Sequence, residues 1–264
     1  LSGCGFNDGS EIHESVLTLL SLDRKGAKVK IMAPEIDQFH VVNHLSNHKM
    51  DATRNILSEA ARIARGNILP IRSINNNDLD ALIFPGGTGM AKNIFNYAIK
   101  GPDFTVLEDV ESLTRYMIQK NKPIVGICLG AQLIAKIYGS KISKSKNKLF
   151  ECGYKKNNKI NNMYFKNNHS FLQFHTEGIS YNKNMELLAK GILYEVDSFK
   201  IKRKDIYGFQ FHPEVTSNTI KRWHDIVKIK YPYIDKLNKI MKDFKKYQYK
   251  NYDWFQNFLL NLLK

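Results

Sequence analysis

The sequence predicts an α/β protein in which a mostly parallel sheet has helices on both faces. The first observation is that apolar residues at helical spacing alternate with short, continuous apolar runs along the first half of the chain. The second is that these runs lack the in-out alternation of a half-exposed sheet, as expected for strands buried on both faces. The third is that 43% of the 264 residues are hydrophobic, which is enough for a substantial core.

Helices and strands follow one another in the first half. Asp51 is predicted to cap the second helix, and Gly66 to end it. The predicted elements, in chain order, are a helix over 10–25, a strand over 29–32, a helix over 51–65, a strand over 80–84, a helix over 106–118, a strand over 123–127 and a helix over 131–138.

Beyond Gly139 the pattern changes to Lys- and Asn-rich turns between short strand-like pieces, which predicts antiparallel additions to the sheet. These pieces are 150–154, 163–165, 171–175, 194–201 and 207–211, and helices are predicted over 216–228 and 235–264. In the last helix an apolar stripe is predicted to pack on the core, and it consists of Leu237, Ile240, Met241, Phe244, Trp254, Phe258 and Leu262. Because no Pro- or Ser-rich linker divides the chain, one domain over 1–264 is predicted.

Composition indicates which partners and which cellular compartment to expect. The formal charge is +15, but no aromatic and basic recognition motif accompanies it, so no nucleic-acid partner is expected. The apolar runs are too short to span a membrane, and no signal-peptide pattern opens the chain. Three cysteines without CxxC pairs favour a reduced, cytoplasmic compartment. The opening Leu1-Ser2-Gly3 is typical of the end of a strand entering a loop, which leaves open a strand ahead of it.

The candidate nucleophile is Cys128. It stands between a predicted buried strand and a helix, within Gly126-Ile-Cys-Leu-Gly130, and this is the setting of a nucleophile elbow. Glycines suit such a tight turn, and the N-terminus of a helix favours a thiolate. An inert buried cysteine is the alternative reading.

Two further motifs favour a catalytic Cys128 over an inert buried cysteine. His212 and Glu214 flank a proline directly after a strand-like run, so His212 could accept the thiol proton and Glu214 could orient the imidazole. Gly86 and Gly87 follow another predicted strand, and their backbone N–H groups could bind a developing oxyanion. The pattern predicts a Cys-His-acid triad.

Residues 126–132, Gly-Ile-Cys-Leu-Gly-Ala-Gln, and residues 211–215, Phe-His-Pro-Glu-Val, resemble the two signature motifs of class I, triad-type glutamine amidotransferases. The resemblance runs from about residue 123 to the C-terminus and implies a flavodoxin-like core. It implies that Cys128 attacks the glutamine carboxamide, that His212 is general base and acid, and that Glu214 orients it. It further implies an oxyanion hole at Gly87 and Leu129, with Gln132 holding the substrate.

The same resemblance places His175 at the substrate. Residues 171–177 correspond to a segment in which the family usually has His-Gly-Asp, and here Thr176 and Glu177 stand in place of Gly and Asp. The resemblance implies no cofactor and no metal. It implies glutamine or a γ-glutamyl small molecule as substrate, with a candidate ammonia acceptor in a separate synthetase subunit.

The first half resembles the ElbB-like family of the PfpI superfamily. The likeness rests on five segments in order, namely 2–14, 42–45, 53–56, 59–66 and 85–93, and covers about residues 1–120. The chain is thus a mosaic, with a join at about 122. This resemblance implies cofactor-independent, glyoxalase-type chemistry on small dicarbonyls, with Glu11 as the acid near Cys128. An ordinary acid in the first turn of a helix is the alternative for Glu11.

Other candidates are weaker. His40, His44 and His48 recur every four residues, but no acid or thiol completes a metal site, and an apolar helix face is the preferred reading of this segment. Cys4 and Cys152 are expected to be structural.

The favoured function is hydrolysis of a γ-glutamyl amide through a Cys128 thioester. The alternatives are the glyoxalase and a non-catalytic, partner-binding amidotransferase-like protein, and a homo-oligomer is left open.

Overall fold

Two units, Leu1–Leu133 and Ile134–Lys264, make up the chain. A computed structural model describes residues 1–145, 147–156, 158–159, 164–165 and 169–262. The two units are described in turn. The predictions of a single domain and of a join at about residue 122 stay predictions. No helix in the described part of the chain is long and apolar enough to cross a bilayer.

The first unit alternates helices with short strands. Its helices are α1 (Ile12–Asp23), α2 (Ile56–Ala64), α3 (Tyr97–Lys100), α4 (Glu108–Gln119) and the start of α5 (Leu129–Ile137). Its strands are β1 (Met32–Ala33), β2 (Val41–Asn43), β3 (His48–Met50), β4 (Leu69–Pro70), β5 (Leu82–Phe84) and β6 (Ile124–Ile127). This order confirms the strand-and-helix alternation predicted for the first half.

Parallel pairing in this unit joins β1 to β4 and β5 to β6. In the second pair Phe84 lies opposite Gly126, and β6 is buried along its whole length. Because parallel strands end at the same edge, the loops after Phe84 and after Ile127 leave the sheet side by side.

The N-cap predicted for α2 is wrong. Asn55, not Asp51, caps this helix, since its side chain accepts hydrogen bonds from the N–H groups of Leu57 and Ser58. The residues just ahead of Asn55 lie outside the helix, and the Gln38 N–H donates to the Arg54 carbonyl at 2.8 Å. The predicted end near Gly66 is confirmed, since the helix closes at Arg65 in the left-handed conformation.

The histidine-rich segment is not helical, so the apolar helix face predicted there is wrong. Residues 41–50 form a hairpin in which β2 and β3 pair antiparallel, with Val41 opposite Met50. The hairpin turns at Asn47, whose φ is +59°. Two adjacent β-branched residues followed by a turn suit a strand better than a helix, and Leu45 is 95% exposed.

The second unit is built from antiparallel strands and two helices. The strands are β7 (Ile142–Lys144), β8 (Glu151–Lys156), β9 (Asn158–Lys159), β10 (Ser170–His175), β11 (Glu177–Ile179), β12 (Met185–Lys190), β13 (Ser198–Ile201) and β14 (Ile206–Phe209), and the helices are α6 (Ser217–Val227) and α7 (Leu237–Leu262). The antiparallel pairs are β8 with β10, β7 with β11, β12 with both β9 and β13, and β13 with β14.

This pairing confirms the antiparallel additions predicted beyond Gly139. The predicted strand over 163–165 is not formed at Tyr164 and Phe165, and Met163 lies outside the described residues. The predicted last helix is confirmed over 237–262, and its final two residues lie outside the described range.

The apolar stripe of α7 packs on the core of the second unit, as predicted. Ile240 is buried in this core, and Leu237, Met241 and Phe244 pack against the same cluster. Phe255 and Leu259, which lie outside the predicted stripe, are buried as well. The Trp254 ring packs within an aromatic cluster of Phe165, Phe171, Phe209 and Phe211. Aromatic pairs of this kind contribute about 0.5–1.5 kcal/mol each beyond the area that they bury.

Candidate active site

Cys128 occupies a strained turn between β6 and α5. Its φ is +47°, in the left-handed region that residues other than glycine rarely adopt, and its side chain is buried. Such a conformation costs about 1–3 kcal/mol and persists where the surrounding structure imposes it, often at functional sites. The elbow expected at this position is therefore present in the backbone.

The glycines on either side of Cys128 are needed for close packing. A Cβ atom added to Gly126 would lie 2.4 Å from the carbonyl carbon of Gly130, and one added to Gly130 would lie 2.4 Å from the carbonyl oxygen of Phe84. Contacts this short are forbidden, so β5, β6 and α5 meet closely only because both positions lack side chains.

Backbone N–H groups surround the elbow. Phe84 of β5 lies opposite Gly126 of β6. Gly86 follows Phe84 by two residues and Cys128 follows Gly126 by two residues, so both lie beyond the same end of the strand pair. The Gly86 N–H donates to the Glu14 carboxylate, whereas the Gly87 N–H donates no hydrogen bond within the described part of the chain. Leu129 begins α5, so its N–H has no partner inside that helix. Gly87 and Leu129 are thus better placed than Gly86 to supply oxyanion donors.

The two glutamates of α1 have different surroundings. Glu11 is the N-cap of the helix, since its Oε2 accepts from the Glu14 N–H at 2.7 Å and its Oε1 lies 3.2 Å from His13 Nδ1. Glu14 is fully buried. A Cβ atom added to Gly86 would lie 3.1 Å from Glu14 Oε1 and 3.4 Å from the carbonyl oxygen of Ile127, so this carboxylate lies close to the end of β6.

Glu14 is the residue that the sequence reasoning missed. The sequence signal that could have found it is its position three residues after Glu11, on the same side of the helix. Ile12 and Val16, whose spacing predicts α1, are 42% and 43% exposed. The side of α1 that carries the two glutamates is therefore buried, and the side that carries Ile12 and Val16 is exposed.

Gln132 lies in the first turns of α5, next to the nucleophile in the backbone. Its N–H donates to the Cys128 carbonyl at 3.2 Å, and the residue is 1% exposed. The resemblance places this side chain at the substrate, and that role stays a prediction.

In the second unit His212 and Glu214 form a buried pair. His212 Nδ1 lies 2.8 Å from Glu214 Oε1, and the two side chains are 5% and 3% exposed. A carboxylate only accepts, so the imidazole donates through Nδ1, and Nε2 is the nitrogen able to exchange a proton. The His212 backbone is held by its N–H, which donates to the Leu172 carbonyl at 2.9 Å. The Trp223 ring packs edge-on at 4.8 Å.

His175 belongs to a buried polar network. Its Nδ1 donates to the Glu177 carbonyl at 3.0 Å, and its Nε2 lies 2.9 Å from Gln173 Oε1. The Gln173 amide continues to Asp197 Oδ1 at 2.6 Å. Burial, and then the charge of His212, lower the pKa of His175 to about 3, so the ring is neutral at ordinary pH. The Nδ1 hydrogen bond fixes the orientation of the ring, and the substrate contact predicted for His175 stays a prediction.

The other two cysteines, Cys4 and Cys152, both have raised pKa values. Burial raises the pKa of Cys152, on β8, to about 12. Burial and then the Glu59 charge raise the pKa of Cys4, in the loop before α1. Thiolate chemistry is therefore disfavoured at both positions.

Comparison with known proteins places these features in a family. The family model "Glutamine amidotransferase class-I" matches residues 44–224. The human glutamine amidotransferase-like class 1 domain-containing protein 3, mitochondrial, is 44% identical over 138 residues, or 52% of each chain. The chain thus spans about half the length of this relative. A subunit of the glutamine-hydrolyzing GMP synthase of Methanococcus aeolicus is 32% identical over 151 residues, which are 55% of this chain and 80% of that one.

Solved structures share the fold. A glutamine amidotransferase from Thermotoga maritima aligns with a TM-score of 0.61 at 17% identity, over 89% of this chain and 98% of that one, and shows the fold. An isoprenoid biosynthesis protein with amidotransferase-like domain from Ehrlichia chaffeensis aligns with a TM-score of 0.50 at 37% identity, over 52% of this chain and 65% of that one. The predicted α/β, amidotransferase-like fold is confirmed. Because the family model covers more than half of its residues, the chain belongs to the class-I glutamine amidotransferase family.

Proposed function

We propose that the chain hydrolyses the side-chain amide of glutamine, or of a γ-glutamyl small molecule, through a thioester on Cys128. The observation that carries the proposal is the left-handed backbone of Cys128 between β6 and α5, because this is the backbone geometry of an elbow that carries a nucleophile at a strand end. The buried His212–Glu214 pair supports it, since it is a base with an orienting acid.

The reaction divides into two acyl transfers. Cys128 gives its thiol proton to His212, and the thiolate attacks the carboxamide carbon. The negative charge that develops on oxygen is stabilised by the N–H groups of Gly87 and Leu129. His212, protonated in the first step, gives its proton to the leaving nitrogen, so ammonia departs and a γ-glutamyl thioester remains. His212 then takes a proton from the water that attacks the thioester and passes it to the departing Cys128 sulfur, so that glutamate is released and the thiol is restored. Glu214 stabilises the imidazolium in both steps.

The ammonia acceptor belongs to a separate polypeptide in this proposal. One relative is by name one of the subunits of a glutamine-hydrolyzing GMP synthase, which supports a division between an ammonia-releasing chain and a synthetase chain. A cytoplasmic location stays a prediction, and the human relative is named mitochondrial.

One observation favours a second function. The Glu14 carboxylate contacts Gly86 at the elbow edge, and a buried negative charge there opposes an oxyanion on the neighbouring amides. A thiol with a nearby acid suits the cofactor-independent, glyoxalase-type reaction on small dicarbonyls that the ElbB-like resemblance implies. Glu14 fits that role better than Glu11, whose carboxylate caps α1.

Four variants separate the two functions. Glutamate release from glutamine and loss of methylglyoxal are measured for wild type and for Cys128→Ala, His212→Ala, Glu14→Gln and Glu11→Gln. An amidotransferase loses on the order of a thousandfold or more in glutamine turnover with Cys128→Ala or His212→Ala. A glyoxalase instead loses methylglyoxal turnover with Cys128→Ala or Glu14→Gln, and retains it with His212→Ala. Glutamine turnover that survives His212→Ala would refute the main proposal.

A further inference from the structure

Helix α7 lies beyond the family match, yet it contacts the His212–Glu214 turn. The match ends at residue 224, and α7 begins at Leu237. From this helix Gln248 Nε2 donates to the Pro213 carbonyl at 2.7 Å. Its Oε1 accepts from the Tyr154 hydroxyl of β8, also at 2.7 Å. The amide of Gln248 therefore bridges the core of the unit and the residue that separates His212 from Glu214.

The chemistry of the partners fixes the orientation of this amide. The Pro213 carbonyl only accepts, so it must face the NH₂ group of Gln248. Burial, and then the negative charge of Glu214, raise the pKa of Tyr154, so its hydroxyl stays protonated and donates to the other end of the amide. Both bonds reinforce one arrangement, and a flipped amide would lose both.

The helix is well anchored at this point. One turn on, the fully buried Asn251 donates to the Ser170 carbonyl at 2.8 Å. Trp254 Nε1 donates to the Tyr164 carbonyl at 2.6 Å, and the Tyr247 ring stacks on Tyr154 at 6.0 Å. The anchored helix presents Gln248 in a fixed place, so its hydrogen bond constrains the peptide that joins Pro213 to Glu214.

We propose that Gln248 is a positioning residue that sets the geometry of the His212–Glu214 pair. The inference rests on the proposed function, since it assigns α7 a part in the same reaction. The pair is held at 2.8 Å through only one intervening residue, so a shift of the Pro213 peptide moves the carboxylate relative to the imidazole. Displacements of about 1 Å from productive geometry cost as much as a hundredfold in rate.

The decisive variant is Gln248→Met, which keeps the length of the side chain and removes both hydrogen bonds. We expect kcat to fall on the order of tenfold to a hundredfold, with KM within about twofold of wild type. In the Cys128→Ala background, NMR titration of the His212 imidazole reports on the pair itself. A loosened carboxylate favours the imidazolium less, so the midpoint moves down by roughly half a unit or more.

Three control variants separate positioning from stability. Asn257→Ala changes an exposed residue of α7 whose side chain donates to the Asp253 carbonyl of the same helix, and it leaves kcat and the titration unchanged. Leu259→Ala removes buried apolar contacts of α7, so it lowers Tm without moving the His212 titration. Tyr154→Phe removes one of the two bonds and gives a smaller shift in the same direction as Gln248→Met.

An unchanged titration and kcat in Gln248→Met would overturn the proposal. So would an equal shift in Leu259→Ala, because the effect would then follow stability alone. The titration needs no turnover. Absence of glutaminase activity in the wild-type chain would refute the proposed function, and a midpoint shifted by Gln248→Met would then still support the positioning role.

Discussion

Replacing Glu214 by Gln tests the His212–Glu214 pair most directly. The amide keeps the size of the side chain and can still accept from His212 Nδ1, so packing is preserved while the negative charge is lost. In wild type that charge lies 2.8 Å from the imidazole, and both side chains are almost fully buried. The substitution therefore isolates the electrostatic contribution of the carboxylate to the imidazolium that forms during each acyl transfer.

The size of the effect follows from the distance. At an effective dielectric constant of about 20, two unit charges about 2.8 Å apart interact by about 6 kcal/mol, which sets an upper limit. The Asp-to-Asn change in a serine-protease triad lowers kcat about 10⁴-fold, or about 5.5 kcal/mol. We expect kcat for glutamate release to fall by roughly 10³- to 10⁴-fold in Glu214→Gln.

Initial rates of glutamate release over a range of glutamine concentrations give kcat and KM, and thermal unfolding checks the fold. Glu195→Gln is the matched control, because Glu195 is about half exposed and pairs only loosely with Lys190, at 3.7 Å. Its kcat should equal that of wild type. A loss of less than about tenfold in a folded Glu214→Gln protein would refute the electrostatic argument.

Two more predictions concern thiols and pH. Iodoacetamide at neutral pH should label Cys128 ahead of Cys4 and Cys152, whose pKa values are raised, and equal labelling in peptide mass spectra would contradict a catalytic thiol. Burial raises the pKa of Asp197 from 3.8 to about 7. The folded protein therefore retains a proton that the unfolded chain releases above about pH 4. The contribution of this residue to the free energy of unfolding is lost as pH rises from 4 to 7. Asp197→Asn should therefore raise Tm relative to wild type more at pH 8 than at pH 5, and a constant difference would argue against this titration.

The parts of the site that are local in sequence could be predicted. The elbow at Cys128 depends on glycines two residues to either side, and the His212–Glu214 contact depends on an i, i+2 spacing across a proline. Both follow from the backbone within five residues, so their short-range pattern is sufficient. The antiparallel character of the second unit could also be predicted, because its turns are rich in Lys and Asn.

The parts of the fold and of the site that depend on contacts between residues far apart in the sequence could not be predicted. Glu14 is buried because its carboxylate meets the N–H of Gly86, 72 residues further along the chain. Strand β12 contains Leu187, Leu188 and Ala189, residues that favour helices, and it forms a strand because β13 pairs with it. Gln248 lies on the helix face that also carries the apolar stripe, and nothing in that pattern indicates a bond to Pro213.

The left-handed backbone at Cys128 has a different consequence in a catalytic chain from that in a related chain that no longer uses the thiol. Glycine adopts that conformation without the penalty of about 1–2 kcal/mol that a side chain incurs. Once a thiol was no longer used, a change to glycine here would remove the nucleophile and stabilise the fold in one step. A chain that keeps cysteine at φ +47° retains strain that a purely structural protein could discard, and this favours a catalytic chain over a non-catalytic scaffold.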